Sequence, residues 1–370
     1  MSFFPWPSSS PPYRIFEDTS RYKEFDKHPM TFAIRMVRVI LQTFRENHGD
    51  GVRWYIMADD DTILFVKNLV EILARYDHRK YFYIGENSEC ILSNMDNSFN
   101  MAFGGAGYAL SYPLVEALAK NMEVCIKRYP TLFGSDHMLQ ACIADLGVAL
   151  THEKGFHQID LHGDISGFLS AHPQSPFISL HHLDTVDPLF PFMNRSQSLS
   201  HLMKAADADQ SRLLQQTICY QHQQNWSFSI AWGYSVQIYE QLIPPSFLLR
   251  PLETFAPWRK LPPRQPPYRF NTRLPSRNPC EDPHVFFFES VEEIRKDRIF
   301  TTYRRRSGRR ERDCNYSTAA ADVFRVSVIS PATRYGGVGT RRECCDIVNS
   351  AVKDNVKIKI RSCMKYEIIA

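Results

Sequence analysis

The sequence predicts an α/β fold with parallel strand pairing, on three observations. Residues 31–46 carry Phe32, Ile34, Met36, Val37, Ile40, Leu41 and Phe44 at helical spacing. An apolar run at 54–58 stops at three consecutive carboxylates, Asp59, Asp60 and Asp61. A second helix-spaced stretch then leads to an aromatic strand at 81–84. Helix, strand, helix, strand at this spacing reads as a sheet that gathers ligands at the carboxyl ends of its strands.

Taken in order, residues 1–30 are Pro- and Ser-rich, then polar, and read as an extended segment. The helix at 31–46 has Arg and Gln between its apolar positions, so it is amphipathic. The His48-Gly49-Asp50-Gly51 run stops it. Residues 54–58 read as a buried strand that carries the acidic triplet to the sheet's end. Thr62 is expected to cap the next helix, which runs to about Tyr76 with Leu64, Phe65, Leu69, Ile72 and Leu73 inward.

Adjacent carboxylates repel, so one is driven to protonate unless a cation sits among them. Hard oxygen ligands at this density suit Mg²⁺ or Mn²⁺, and an ion there can grip a diphosphate. A solvated acidic turn explains the same three residues without any ligand. Further on, Gly104, Gly105 and Gly107 allow backbone conformations or close approaches that a side chain would block. They could cradle a phosphate or sugar, or serve as plain turn residues. Pro113 suits the first turn of a helix running to about Arg128.

Residues 134–147 read as a helix with Met138, Leu139, Cys142, Ile143 and Leu146 inward. Ser135 or Asp136 is expected at its N-cap. Asp136 is then either a cap or a carboxylate able to act as general base. Six His follow: His152, His157, His162, His172, His181 and His182. An imidazole among them could complete the coordination of a metal at the acidic cluster. No HxxxH or HExxH spacing occurs, which argues against a zinc hydrolase.

Residues 196–220 read as helix, and 225–239 alternate as strands. Pro-rich coil spans 244–283, an aromatic strand follows at 284–288, and residues 356–364 read as a final strand. A basic run at 303–312 reads as a solvated loop. The expected organisation is an extended segment at 1–30, a ligand-binding α/β domain at 31–195, a C-terminal region with Pro-rich coil at 196–300, and a basic loop and tail at 301–370.

Composition excludes some classes. The net charge of +4 is too small to suggest a nucleic-acid partner. Nine Cys show no paired CxxC spacing, so a structural zinc site is not indicated, and their odd number leaves at least one thiol unpaired within the chain. Sequons stand at Asn194, Asn225 and Asn315. No apolar run is long enough to cross a membrane, and the first residues lack the basic start and apolar core of a signal peptide. Read from its residues alone, the chain is expected to be soluble and without a leader.

The ordered set of motifs resembles the Fringe-like β-1,3-glycosyltransferases, and within them the plant Fringe-related group. It consists of Tyr55-Ile56-Met57-Ala58-Asp59-Asp60-Asp61-Thr62, Gly104-Gly105-Ala106-Gly107-Tyr108-Ala109-Leu110-Ser111, Gly134-Ser135-Asp136 and Leu180-His181-His182-Leu183-Asp184. Flanking matches are Trp6-Pro7-Ser8-Ser9-Ser10-Pro11-Pro12-Tyr13, Asp187-Pro188-Leu189-Phe190-Pro191 and Arg277-Asn278-Pro279-Cys280-Glu281.

The resemblance implies a GT-A fold, a mixed sheet that binds a nucleotide sugar, flanked by helices and followed here by a β-rich C-terminal extension. It implies Mn²⁺ (or Mg²⁺) as cofactor and a UDP-sugar as donor. Asp61 and His181 would bind the metal, with His182 the adjacent candidate. Asp59, Asp60, Gly104, Gly105, Ala106 and Gly107 would shape the donor site, and Asp136 would be the catalytic base. The implied activity is inverting transfer of the sugar to a glycan or glycoprotein hydroxyl in a β-1,3-type linkage, in the Golgi lumen.

Family members carry an N-terminal anchor as type II membrane proteins, and a strand and helix ahead of the acidic motif. Here that motif comes early, so the fold is expected to be N-terminally truncated, with an open sheet edge. The alternative expectation is a catalytically inactive lectin-like module. A metal-dependent hydrolase, which would free sugar without an acceptor, is the third.

Overall fold

The computed structural model describes residues 8, 10, 12–47, 49, 51–259, 265–278, 281–295, 297–306, 319–333, 341–348 and 354–370. The start of the Pro/Ser-rich segment, His48, Asp50, Pro279, Cys280, Cys314, the sequon at Asn315 and residues 307–312 of the basic run lie outside the described residues.

Helix α1 (Thr31–Glu46) buries Ala33, Ile34, Val37, Ile40 and Leu41 as one stripe. β1 (Trp54–Met57), β2 (Ile63–Leu64) and α2 (Val66–Leu73) follow, then β3 (Tyr83–Gly85), α3 (Ile91–Asp96) and β4 (Tyr108–Ser111). Helix α4 (Tyr112–Arg128) has Pro in its first turn, where no amide donor is needed. Next come α5 (Ser135–Asp145), β5 (Leu150–His152), β6 (Leu161–Gly163), α6 (Ser166–Leu169), β7 (Ser179–Leu180) and α7 (Arg195–Ala208). The remainder is β8 (Gln216–Gln221), β9 (Trp226–Ala231), β10 (Ser235–Tyr239), α8 (Pro245–Leu248), β11 (Phe255–Pro257), β12 (His284–Arg295), β13 (Arg298–Arg305), β14 (Arg325–Pro331), β15 (Cys344–Val348) and β16 (Asn355–Arg361). This mixed α/β order with a β-rich C-terminal part is the fold class that the sequence predicts. A four-stranded sheet has the order β1-β4-β3-β5, with β1 at one edge.

The chain divides into two compact units. The first comprises Met1–Tyr55, His78–Tyr83 and Leu110–Ala149. Here α1, α4 and α5 pack on one another, and the Cys125–Cys142 disulfide ties α4 to α5. Arg38 on α1 is buried but paired with Glu17 and Glu123, which compensates the removal of its charge from water.

The second unit comprises Ile56–Asp77, Ile84–Ala109 and Leu150–Ala370. Its main sheet has eight strands in the order β15-β16-β14-β13-β12-β10-β9-β8. Only the β14–β16 pairing is parallel. The outer strands β8 and β15 are joined by the Cys219–Cys345 disulfide, so the sheet curls around Phe228, Trp232, Phe286 and Tyr303. Two short ladders, β2 with β7 and β6 with β11, complete the unit.

Several local expectations change; among them, residues 303–305 of the expected basic loop are the end of β13, paired on both sides and with Tyr303 buried. Thr62 caps no helix, because Ile63 and Leu64 pair with β7 and α2 starts only at Val66. Tertiary pairing there overrides the cap preference. The stretch 196–220 is helix only to Ala208, and Leu214 at φ 59° breaks the run before β8. In β1 only Tyr55 is buried, as suits an edge strand. The N-cap of α5 is Gly134 at φ 81°, a conformation that favours glycine, so Asp136 stands within the first turn.

Candidate functional site

The site is built on the β2–β7 ladder. Ile63 faces Leu180 and Leu64 faces Ser179 in antiparallel register. That register brings the residues just before Ile63 alongside those just after Leu180. Asp61 and His181, far apart in the chain, meet there: His181 Nε2 lies 3.0 Å from Asp61 Oδ1 and 3.9 Å from Asp59 Oδ2. His181 is buried, whereas the Asp61 and Asp59 side chains are 45% and 37% exposed. The three carboxylates therefore open to solvent while the imidazole forms the floor. Asp60 is exposed.

The His181 tautomer follows from its other nitrogen. Nδ1 is 3.1 Å from the Gln158 carbonyl oxygen, which can only accept, so Nδ1 carries the hydrogen. A neutral ring then turns the Nε2 lone pair toward Asp61. A lone pair against a carboxylate is repulsive unless a cation or a proton stands between them. The chemistry of this donor set is compatible with a divalent ion. Asp61, His181 and His182 each offer a ligand atom within 4.8 Å of the others. Burial pushes the Asp59 carboxyl above its usual range; His181 pulls the other way, and Asp61 and Asp60 add to the rise.

The glycine loop is held against this floor from three directions. Thr62 Oγ1 donates to the Gly105 carbonyl at 2.8 Å. Ala106 N–H donates to Gln158 Oε1 at 2.8 Å, and Ser179 Oγ donates to the Ala106 carbonyl at 2.5 Å. A side chain at Gly105 would place its Cβ 2.2 Å from His181 Cε1, so the imidazole occupies the space that this glycine leaves. Gly107 closes the turn onto the Gly104 carbonyl at 2.9 Å and sits at φ 81°. At least one glycine of the loop thus serves the histidine.

Gln158 is a positioning residue that the sequence reading passed over. Its carbonyl orients His181 and its side chain holds Ala106, so one residue ties the imidazole that meets Asp61 to the glycine loop. It lies in the Gly155-Phe156-His157-Gln158 stretch, and no motif singles it out.

His182 has a different setting. Its ring stacks on Trp258 at 5.0 Å and 6°, and its Nδ1 is 3.5 Å from the buried Asp160 carboxylate. Burial opposes the charged ring, but Asp160 outweighs it and raises the pKa above the usual value. Of the other histidines, His157 and His172 are buried and joined Nε2 to Nε2 at 2.9 Å. His157 Nδ1 also meets Glu89 Oε1 at 3.0 Å. Burial pushes Glu89 up to about 7 and His157 down to about 3. His152 pairs with Glu86, and the exposed His162 stacks on Trp258.

Asp59, Asp60, Asp61, Gly104, Gly105, Ala106, Gly107 and His181 are thus gathered in the second unit. Asp136 belongs to the first unit, in the first turn of α5, with Ser135 Oγ 3.3 Å from its Oδ1. An anionic side chain in a first helical turn is favoured by the helix dipole.

Over 119 residues the chain is 29% identical to a human protein named beta-1,3-glucosyltransferase and 28% identical to its mouse counterpart. Each match covers 32% of this chain and 23% of the relative, so the chain spans less than a quarter of the length of these relatives. A family model described as "Protein of unknown function, DUF604" matches residues 93–345, well over half of the chain, and the chain belongs to that family.

Proposed function

We propose that this chain is a metal-dependent, inverting glycosyltransferase of Fringe-like type, akin to the plant group. It moves a sugar from a UDP-sugar to a hydroxyl of a glycan or glycoprotein, in a β-1,3-type linkage. The observation that carries the reading is the meeting of Asp61 with the Nε2 of a histidine whose Nδ1 is committed to Gln158. Similarity to two proteins named beta-1,3-glucosyltransferase supports it.

Asp61 and His181 would hold Mn²⁺ or Mg²⁺, with His182 adjacent. Such an ion, when bound, supplies a Lewis acid that neutralises charge on the departing nucleoside diphosphate. Asp59 and Asp60 accept hydrogen bonds from donor hydroxyls. Residues 104–107 wall the donor pocket, held rigid by Thr62, Gln158 and Ser179. Asp136 takes the general-base role on the motif resemblance, removing the proton from the acceptor hydroxyl.

We place the activity in the Golgi lumen. The disulfides Cys125–Cys142, Cys219–Cys345 and Cys344–Cys363 favour an oxidising compartment. The asparagines of the sequons at Asn194 and Asn225 are exposed, as glycosylation there would need. No helix among the described residues is long and apolar enough to cross a membrane.

The test is a panel of UDP-sugars and glycan acceptors with Mn²⁺. Acceptor-dependent UDP release that EDTA abolishes and Mn²⁺ restores is the expected result. Release of free sugar without acceptor would point to a hydrolase, and UDP-sugar binding without turnover to a lectin-like module; either overturns the proposal.

A further inference from the structure

Apart from the acidic site, the second unit holds a polar cavity of about 340 Å³. Among the described residues Arg212, Arg341 and Arg342 line it against a single carboxylate, Glu343, so these walls carry net positive charge. Arg212 is neutralised: it pairs with Glu343 and, at 3.6 Å, with Asp209. Among the described residues Arg341 donates to the Met364 and Glu367 carbonyls. Arg342 donates from Nη1 to the Gln216 carbonyl at 3.0 Å and has no ion-pair partner among the described residues. Burial of this guanidinium lowers it to about 10. Arg342 is half-buried, and a cation partly withdrawn from water without a carboxylate costs free energy that a bound anion would recover.

The neutral part of the wall narrows the ligand. Ser211, Thr217 and Thr333 add hydroxyl groups. The wall is also pre-organised. Arg342 and Glu343 lead directly into Cys344 and Cys345, which are bonded to Cys363 and Cys219. A wall that needs no ordering on binding loses less affinity to entropy.

We propose that this cavity binds a small polyhydroxylated anion, its carboxylate or phosphate on the Arg342 guanidinium and its hydroxyls against Ser211, Thr217 and Thr333. The planar guanidinium fork matches both groups. The source is either a uronic acid or a sugar phosphate, and the site does not depend on the proposed transferase activity.

Calorimetric titration of the full chain in EDTA, which silences the acidic site, tests the proposal. The probes are glucuronate, glucose 6-phosphate and neutral glucose. Saturable one-to-one binding of either anion, with none of glucose, is expected; which anion binds identifies the source. Arg342→Gln is expected to weaken binding roughly tenfold, the scale of a lost charge-assisted hydrogen bond. Arg341→Gln, at the exposed rim and tolerant of change, is expected to weaken it roughly threefold. Asp61→Asn is expected to leave it unaltered, which separates this site from the metal site. Failure of both anions to bind, or wild-type affinity in both arginine variants, overturns the proposal.

Discussion

His181 Nε2 stands 3.0 Å from Asp61 Oδ1, although all the elements from β2 to β7 separate the two in the chain. The contact rests on the two-residue ladder between β2 and β7, and the His181 Nδ1–H bond to Gln158 aims the ring. Asp61→Asn removes one charge from that pair. Mn²⁺ affinity, read by calorimetry, should fall, and transfer should drop about 100-fold or more, the scale of losing a group that stabilises transition-state charge. An unchanged rate would remove Asp61 from the ligand set.

Gly105→Ala tests the seat of the imidazole. The added Cβ would meet three atoms of the His181 ring at 2.2 to 2.6 Å, and the buried ring has little room to retreat. Overpacking of this kind costs about 1–3 kcal/mol. Thermal unfolding should show that loss and Mn²⁺ titration a weakened site. A variant that binds Mn²⁺ as tightly as the wild type would show that the ring is not held by the loop.

Gln158→Ala leaves the backbone acceptor for His181 in place but strips Ala106 N–H of its buried partner. An unsatisfied buried donor costs about 1–3 kcal/mol, visible in urea unfolding. Because the glycine loop is loosened while the metal-facing ring is still aimed, KM for the donor should rise more than kcat falls.

Glu89 sets a pH dependence. Its carboxyl is raised by burial from 4.5 to about 7, so between those values the folded chain binds more protons than the unfolded one. Stability from this group is therefore fully present below 4.5 and is lost as pH rises through about 7. The neutral amide introduced by Glu89→Gln would mimic the protonated acid, accepting from Ile159 N–H and donating toward His157 Nδ1. Denaturant unfolding should show this variant gaining on the wild type as pH rises from 4.5 to 7. A pH-independent difference would contradict the burial argument.

The Cys219–Cys345 bond closes the curled sheet across a sequence separation of 126, against 17 for Cys125–Cys142. Loop-closure entropy then predicts a loss of about 4–5 kcal/mol for the double Ser variant of the first pair, and about 3 kcal/mol for the second. Melting of both variants checks the order, and the reverse order would refute the entropic account.

The α/β class, the acidic triplet, the glycine loop and the carboxylate of Asp136 were legible because each is written in consecutive residues. Periodicity placed α1 and α5, and Pro113 marked the start of α4, for the same reason. Where local preference and tertiary pairing disagreed, pairing won: Thr62 reads as a cap yet spends its hydroxyl on Gly105, because Ile63 and Leu64 belong to a strand. Leu213 and Leu214 look helical yet turn into the core ahead of β8. Which of the six histidines faces the carboxylates could not come from spacing, since it depends on a ladder between distant strands. Gln158 and Arg342 carry no motif at all; one matters through a carbonyl and an amide on opposite sides of it, the other through the carboxylate it does not meet. By itself the sequence determined which chemistry was on hand and the class of fold that carries it. The tertiary structure decided which groups meet, because strand register and burial act between residues that the chain keeps apart.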